Sequence, residues 1–296
     1  MSFAPAERRQ FAWITAGAIA VFVTLRLLPT GTNLSHMDFR VDPRAGNAIE
    51  FCDPLNPQFI PVVAAKSPVT MSVTPGAPST VRLATASGKP LRPEDLLVTH
   101  TQRLHLLIVD QTLQDYQHVH PQPTGKAGEW SFDFAPHSGG AYRFFADFTP
   151  VATGRGLYAS ADAEINPSKS PLVFIPRAGL ETVRAGHRFT LSVAAPPARA
   201  GQPIDLKFSV VRVDGGAVML EPVMGAFAHL VAFDEARSGF AHLHPVESDL
   251  LEKPDAISPA LNFKLTIPRA GRYAIWAQVN LGGSETFVPF GLDVVE

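Results

Sequence analysis

His105-Leu-Leu-Ile-Val-Asp-Gln-Thr-Leu-Gln-Asp-Tyr-Gln-His-Val-His-Pro121 is matched 124 residues later by His229-Leu-Val-Ala-Phe-Asp-Glu-Ala-Arg-Ser-Gly-Phe-Ala-His-Leu-His-Pro245. Both stretches read H-x4-D-x7-H-x-H-P without a gap. Self-similarity at a fixed offset marks a duplicated structural unit. After a seven-residue insertion the match resumes at an offset of 131, so that Phe132, Phe134, Gly140 and Tyr142 fall on Phe263, Leu265, Gly271 and Tyr273. Duplication accounts for the 296 residues, since a chain of this length suits about two domains.

Outward from the repeat, each copy is a string of short β segments. In the first they are expected at 69–74, 80–85, 104–110, 116–120, 130–134, 141–148 and 157–165. In the second they are expected at 189–194, 204–213, 228–234, 240–244, 262–267, 272–279 and 286–294. Gly, Pro, Asp and Asn punctuate between them, and no helical period exceeds two turns. About seven short strands with regular turn signals is the pattern of an immunoglobulin-like or cupredoxin-like sandwich. The fold class is therefore all-β, with two tandem β-sandwich domains, residues 68–166 and 172–296, after an N-terminal transmembrane helix. The polar, proline-rich Asn166-Pro-Ser-Lys-Ser-Pro171 is the expected linker. Trp130, Phe132, Tyr142, Phe144 and Phe145 are spaced as packing residues of a sandwich core.

Composition agrees. Apolar residues make up 46% and charged residues 18%, with a net charge of −2. No basic excess is present to neutralise phosphates, which argues against nucleic acid as a partner. The 27 prolines favour short strands and turns, because proline interrupts helix interiors and central strands. A single cysteine, Cys52, excludes intrachain disulfides and multi-thiolate metal sites. Cys52 reads as a small buried apolar residue, the alternatives being a metal thiolate or a thiol facing a partner. His36 and Met37 nearby add only a weak hint of metal chemistry.

The N-terminus gives the compartment. Residues 1–10 carry Arg8 and Arg9, and the segment 11–29 opens with an uncharged run of 15 residues, Phe11–Leu25. Positive charge before an apolar run keeps the N-terminus cytoplasmic and exports the chain beyond that run. The expected placement is a single-pass anchor in the cytoplasmic membrane, with the C-terminal domains periplasmic or extracellular. A cleaved signal is the alternative, with Thr30-Gly31-Thr32 as a poor cleavage site. Residues 30–67 read as an irregular arm.

Leu220-Glu-Pro-Val-Met-Gly-Ala-Phe-Ala-His-Leu-Val-Ala-Phe, the subsequent Phe-Ala-His-Leu-His-Pro and Gly271-Arg-Tyr resemble a bacterial family of exported proteins. Its members carry L-E-P-Y-L-G-A-x-x-H-L-V and then H-x-H-P, and are loosely labelled heavy-metal-binding or FixH-like. The resemblance covers residues 203–295 well and 80–165 more weakly. It implies export and a β-sandwich, and brings no settled activity. The sequence departs from that motif at Val223-Met224, where many members have Tyr-Leu, so a methionine ligand is not implied by the family.

Seven of the ten histidines lie in or beside the repeat: His100, His105, His118, His120, His229, His242 and His244. A hairpin turning at Gln111–Gln114 sets His105 opposite His120, and Leu107 opposite His118. Residues two apart on a strand share a face, as do directly opposed residues, so three imidazoles converge on one patch. His229, His242 and His244 do the same in the second copy. Imidazoles on rigid strands suit copper, zinc, iron and nickel. His100 corresponds to Met224, so the first unit could offer His100 to its triad and the second Met224. A thioether among imidazoles favours copper, with zinc the alternative. Asp110 and Asp234 read as turn formers. The competing reading is packing: hydrogen-bonded histidines would be copied by duplication with no function attached.

Three functions compete. The first is a membrane-anchored exported protein that binds copper or another transition metal. The second is a non-metal interaction module with an envelope-protein partner. The third is a two-site enzyme like the copper monooxygenases, by analogy alone. No nucleotide-binding, zincin, serine-hydrolase or C-x-x-C motif is present.

Overall fold

The computed structural model describes residues 5–27, 34–40, 57–165 and 179–296. Cys52 and the expected linker at 166–171 lie outside them. The chain divides into two compact units, residues 1–33 and residues 34–296.

The first unit holds helix α1 (Pro5–Leu27), which begins with a proline and carries Glu7 in its first turn. A proline whose missing N–H would be an orphan anyway suits a helix start, and an acidic side chain there complements the dipole. No helix among the described residues is long and apolar enough to cross a membrane. The basic and polar start, Glu7 to Gln10, and the small residues Thr15, Ala16, Gly17 and Ala18 dilute the apolar run.

The second unit is all-β. Its first half has β1 (Val69–Thr74), β2 (Ser79–Thr85), β3 (His105–Asp110), β4 (Tyr116–Val119), β5 (Gln122–Pro123), β6 (Glu129–Phe132), β7 (Gly140–Phe148) and β8 (Leu157–Ile165). Its second half has β9 (Glu181–Arg184), β10 (His187–Val193), β11 (Ala198–Arg199), β12 (Pro203–Arg212), β13 (Leu220–Glu221), β14 (His229–Asp234), β15 (Phe240–Leu243), β16 (Ala260–Thr266), β17 (Gly271–Leu281) and β18 (Ser284–Val295). The first sandwich stacks sheet β1-β2-β6-β5 on sheet β4-β3-β7-β8, and the second stacks β16-β12-β10-β9 on β11-β18-β17-β14-β15. The tandem sandwich expected from the repeat is thus the architecture. The offsets hold in three dimensions, since β3 and β14 begin at the paired histidines, and β7 and β17 at the paired Gly140 and Gly271.

Strand alternation divides the apolar residues among three layers. Leu106 and Ile108 of β3, with Tyr142, Phe144 and Ala146 of β7, face the core of the first sandwich. Leu230 and Ala232 of β14, with Ile275 and Ala277 of β17, face the core of the second. The opposite faces of these strands do not meet water. Leu107, Val109, Tyr116 and Phe145 pack on Val231, Phe233, Phe240 and Trp276, giving a third apolar layer that joins the two sandwiches. Every residue of β3 is buried for this reason. Trp276 seals the junction by donating its indole N–H to the Leu113 carbonyl at 3.1 Å.

The segment expected to be an irregular arm is built into this body where it is described. Leu34 and Phe39 pack into the first core. Phe59 enters the second, and Ile60 and Val62 join the interdomain layer. Ile60 exchanges backbone hydrogen bonds with Phe240 at 2.8 and 3.1 Å, and Ile60 leaves no room for a side chain at Gly239.

Candidate metal centre

The parity that sends Leu107 and Val231 to the interdomain layer sends the histidines there too. Leu107 pairs with His118 and Val231 with His242. One step further along the same register His105 lies opposite His120, and His229 opposite His244. In each triad one nitrogen per ring lies within 4.8 Å of the others. Three rings around one tetrahedral ion with N at 2.0–2.1 Å hold their centroids roughly 5 Å apart. The centroid separations are 5.3, 5.0 and 4.9 Å in the first triad and 5.5, 4.7 and 4.9 Å in the second.

Hydrogen-bond partners fix where the ring protons are. His105 Nε2–H donates to the Thr99 carbonyl at 3.0 Å. His118 Nδ1–H donates to Gln278 Oε1 at 3.0 Å, and the Gln278 amide is oriented by donating to Glu285 at 2.9 Å. A neutral imidazole has one N–H and one lone pair. With both protons directed outward, the lone pairs of His105 Nδ1 and His118 Nε2 face each other across 3.2 Å. The second triad repeats this. His229 Nε2–H donates to the Val223 carbonyl at 3.0 Å, and His242 Nδ1–H to Asp147 Oδ2 at 3.3 Å. The lone pairs of His229 Nδ1 and His242 Nε2 then face across 3.3 Å. The third member of each triad, His120 or His244, has a buried Nε2 with no hydrogen-bond partner among the described residues.

Two neutral lone pairs at that distance repel unless a cation lies between them. A proton would serve, but burial disfavours it. Desolvation, reinforced by the neighbouring imidazoles, holds His118 and His242 well below the ordinary histidine range. Burial alone pushes His120 down to about 4. It also pushes His229 down to about 4, against a small upward pull from the Val223 carbonyl. His105 and His244 are lowered too, chiefly by burial. A metal ion suits the spacing better, since tetrahedral ligands at 2.0–2.1 Å sit about 3.3–3.4 Å from one another.

The two triads, expected from the sequence as separate sites, form one constellation across the domain junction. His118 and His242 stand 5.2 Å apart between centroids, and His105 and His242 5.8 Å. His100 lies over the other domain's triad, its ring stacked on His244 at 3.8 Å and 31° while 6.2 Å from His105. It belongs to neither close group of ligand atoms. Met224 occupies the equivalent turn, and both residues hold a left-handed backbone, φ 48° and 50°. Asp110 and Asp234 close their hairpin turns, accepting from the backbone N–H groups of Gln114 and Asp115 and of Ser238. A cavity of about 270 Å³ opens beside the second triad, walled by His100, His105, Asp147, Tyr158, His242 and His244.

Two residues of the centre escape a reading by motif: Asp147 and Gln278. They occupy equivalent positions of β7 and β17, directly opposite His105 and His229. Each reaches across to orient the other domain's central histidine. The signal was a single polar residue interrupting an apolar run within each strand, Phe-Phe-Ala-Asp-Phe and Ile-Trp-Ala-Gln-Val.

No curated protein matches the chain. Among solved structures it is similar to the chicken interferon gamma receptor alpha chain, at 10% identity over 76% of this chain and 97% of that one, TM-score 0.22. It is similar to the fibronectin(III)-like modules of Clostridium thermocellum CbhA, at 12% identity over 77% and 94%, TM-score 0.21. An Escherichia coli adhesin, FdeC, gives 16% identity over 77% and 63%, TM-score 0.22. Those scores are too low for the likeness to bear on function. A family match covers residues 65–165 and 181–296, the two sandwiches described above, and the chain belongs to that family, described as Domain of unknown function (DUF8832).

Proposed function

We propose that the protein is an exported metal-binding protein whose tandem sandwiches hold two transition-metal ions, copper first and zinc as the alternative, at the domain junction. The observation that carries this reading is the pair of opposed lone pairs in each triad, beside a buried third nitrogen that no group among the described residues satisfies. The packing reading supplies no cation there and leaves four lone pairs in mutual repulsion. An all-imidazole donor set obeys the general affinity order in which Cu²⁺ exceeds Zn²⁺. Three protein ligands leave a tetrahedral position open, and at the second triad it adjoins the cavity. An exchangeable position suits a carrier that must also release its ion.

Titration of the chelator-treated protein with Cu²⁺ or Zn²⁺ checks this. Two ions per chain are expected, and the joint change His120→Ala and His244→Ala should weaken both by at least about tenfold. A protein that takes up neither metal stoichiometrically would overturn the reading.

Export rests on Arg8 and Arg9 before the apolar stretch Phe11–Leu25. A chain lacking residues 1–33 should stay in the cytoplasm yet keep its fold and its metal sites. Undiminished export of the shortened chain would show that the signal lies elsewhere.

A further inference from the structure

We propose that the two triads are unequal, and that Asp147 makes them so as a positioning residue: His229, His242 and His244 take up a divalent transition-metal ion first, and His105, His118 and His120 take up a second one more weakly. The inference rests on the metal reading above. The ligands themselves give no reason for a difference. Both sets are three imidazoles, with matching ring spacings, matching backbone acceptors at Thr99 and Val223, and lone-pair separations of 3.2 and 3.3 Å.

The difference lies one contact further out. His242 Nδ1 donates to the Asp147 carboxylate, whereas His118 Nδ1 donates to the Gln278 amide. An anionic acceptor behind an imidazole raises the basicity of its far nitrogen and fixes the ring, and changing such a partner typically costs 10–100-fold in metal affinity. The carboxylate of Glu285 does stand behind Gln278 at 2.9 Å. That charge reaches His118 only through an intervening amide, and Glu285 is itself exposed, so water screens it. Asp147 also places a negative charge at the cavity that His242 and His244 of the second triad share with His105 of the first, so the advantage of the second triad lies in the hydrogen bond to His242.

Single-site variants isolate the two affinities. His120→Ala leaves the second triad intact, and His244→Ala leaves the first. Both Nε2 atoms lack a hydrogen-bond partner among the described residues, so neither change breaks a hydrogen bond at that atom. In competition with a chelating dye for Zn²⁺, and separately for Cu²⁺, the site kept by His120→Ala should bind 10–100-fold more tightly than the site kept by His244→Ala. Adding Asp147→Asn to His120→Ala, which keeps an acceptor oxygen and removes the charge, should erase most of that advantage. Adding Gln278→Glu together with Glu285→Gln to His244→Ala should raise affinity at the first triad, a gain that a purely structural role for Gln278 would not produce. Equal affinities in the two single-site variants, the reverse order, or an Asp147→Asn change without effect would overturn the proposal while leaving metal binding intact. Absence of binding in every variant and in the parent protein would instead fail the metal reading itself.

Discussion

The metal-free protein loses a large part of its folding stability between pH 7 and pH 5. The folded state keeps the buried histidines neutral, with His120 and His229 held down to about 4, whereas in the unfolded chain they titrate near ~6.5. Between those values the unfolded state binds more protons than the folded one, so stability rises with pH and falls on acidification. Each of those two groups withdraws about 2 kcal/mol at pH 5 by this linkage, on the order of 4 kcal/mol together. His105, His118, His242 and His244 act in the same direction, as does His100. Asp147 opposes them, because burial raises its carboxyl above the usual range, but it is one group against seven. Surface carboxylates do not confuse the window: Asp38, paired with Lys89, is held down to about 2 and matters only in stronger acid. A whole domain is typically stable by only about 5–15 kcal/mol, so the effect should dominate urea midpoints. His120→Gln should shrink the loss between pH 7 and 5 by about 2 kcal/mol. Equal midpoints at the two pH values would show that these rings stay neutral for no energetic reason.

Metal should act on the same equilibrium from the other side. An ion that binds only the folded state stabilises it by about 2.7 kcal/mol at a hundredfold excess over its dissociation constant, so an ion at a hundredfold excess over the weaker site's constant gives at least roughly 5 kcal/mol from the two sites together. For a body of this size that is roughly a 10–20 °C rise in Tm. The rise should come as a single transition, because Gln278 and Asp147 tie each triad to the opposite domain and the apolar layer of Phe145, Phe233 and Trp276 is shared. Scanning calorimetry with and without Zn²⁺ at pH 7 measures it. The combined His120→Ala and His244→Ala change, if it weakens each site at least about tenfold, should cut the shift to roughly half or less. Persistence of the full shift in that variant would place the ions elsewhere.

Much of the centre was legible before the fold. A turn centred on Gln111–Gln114 set His105 against His120, and the gapless offset of 124 residues carried the same pairing to His229 and His244. The sandwich was legible in turn spacing and period-2 patterning. The meeting of the two triads was not, although β3 and β14 carry continuous apolar runs, Leu-Leu-Ile-Val and Leu-Val-Ala-Phe. Such runs signal a strand buried on both faces, and the second face could only be covered by the sister domain. His100 is harder to foresee. It belongs to the first repeat in sequence, yet the left-handed turn at φ 48° carries its ring onto His244. Asp147 and Gln278 gain meaning only once the two sheets are docked, since neither sits near a histidine in sequence. Helix α1, 23 residues long, contains the run Phe11–Leu25 with its flanking charges, while no helix among the described residues is long and apolar enough to cross a membrane.

The reciprocal grip, in which Gln278 holds His118 while Asp147 holds His242, has the geometry of a two-fold symmetric dimer folded into one chain. In a true homodimer the same surface patch appears on both partners, and residue i meets j just as j meets i. Two genuinely identical subunits would oblige both centres to carry the same outer acceptor, so any substitution would alter the pair in step. Covalent fusion lifts that obligation. Once the copies are separate stretches of one gene, a carboxylate can stand at one position and an amide at its twin, and an assembly that began with two copies of one site can divide its labour between a firm holder and a looser one.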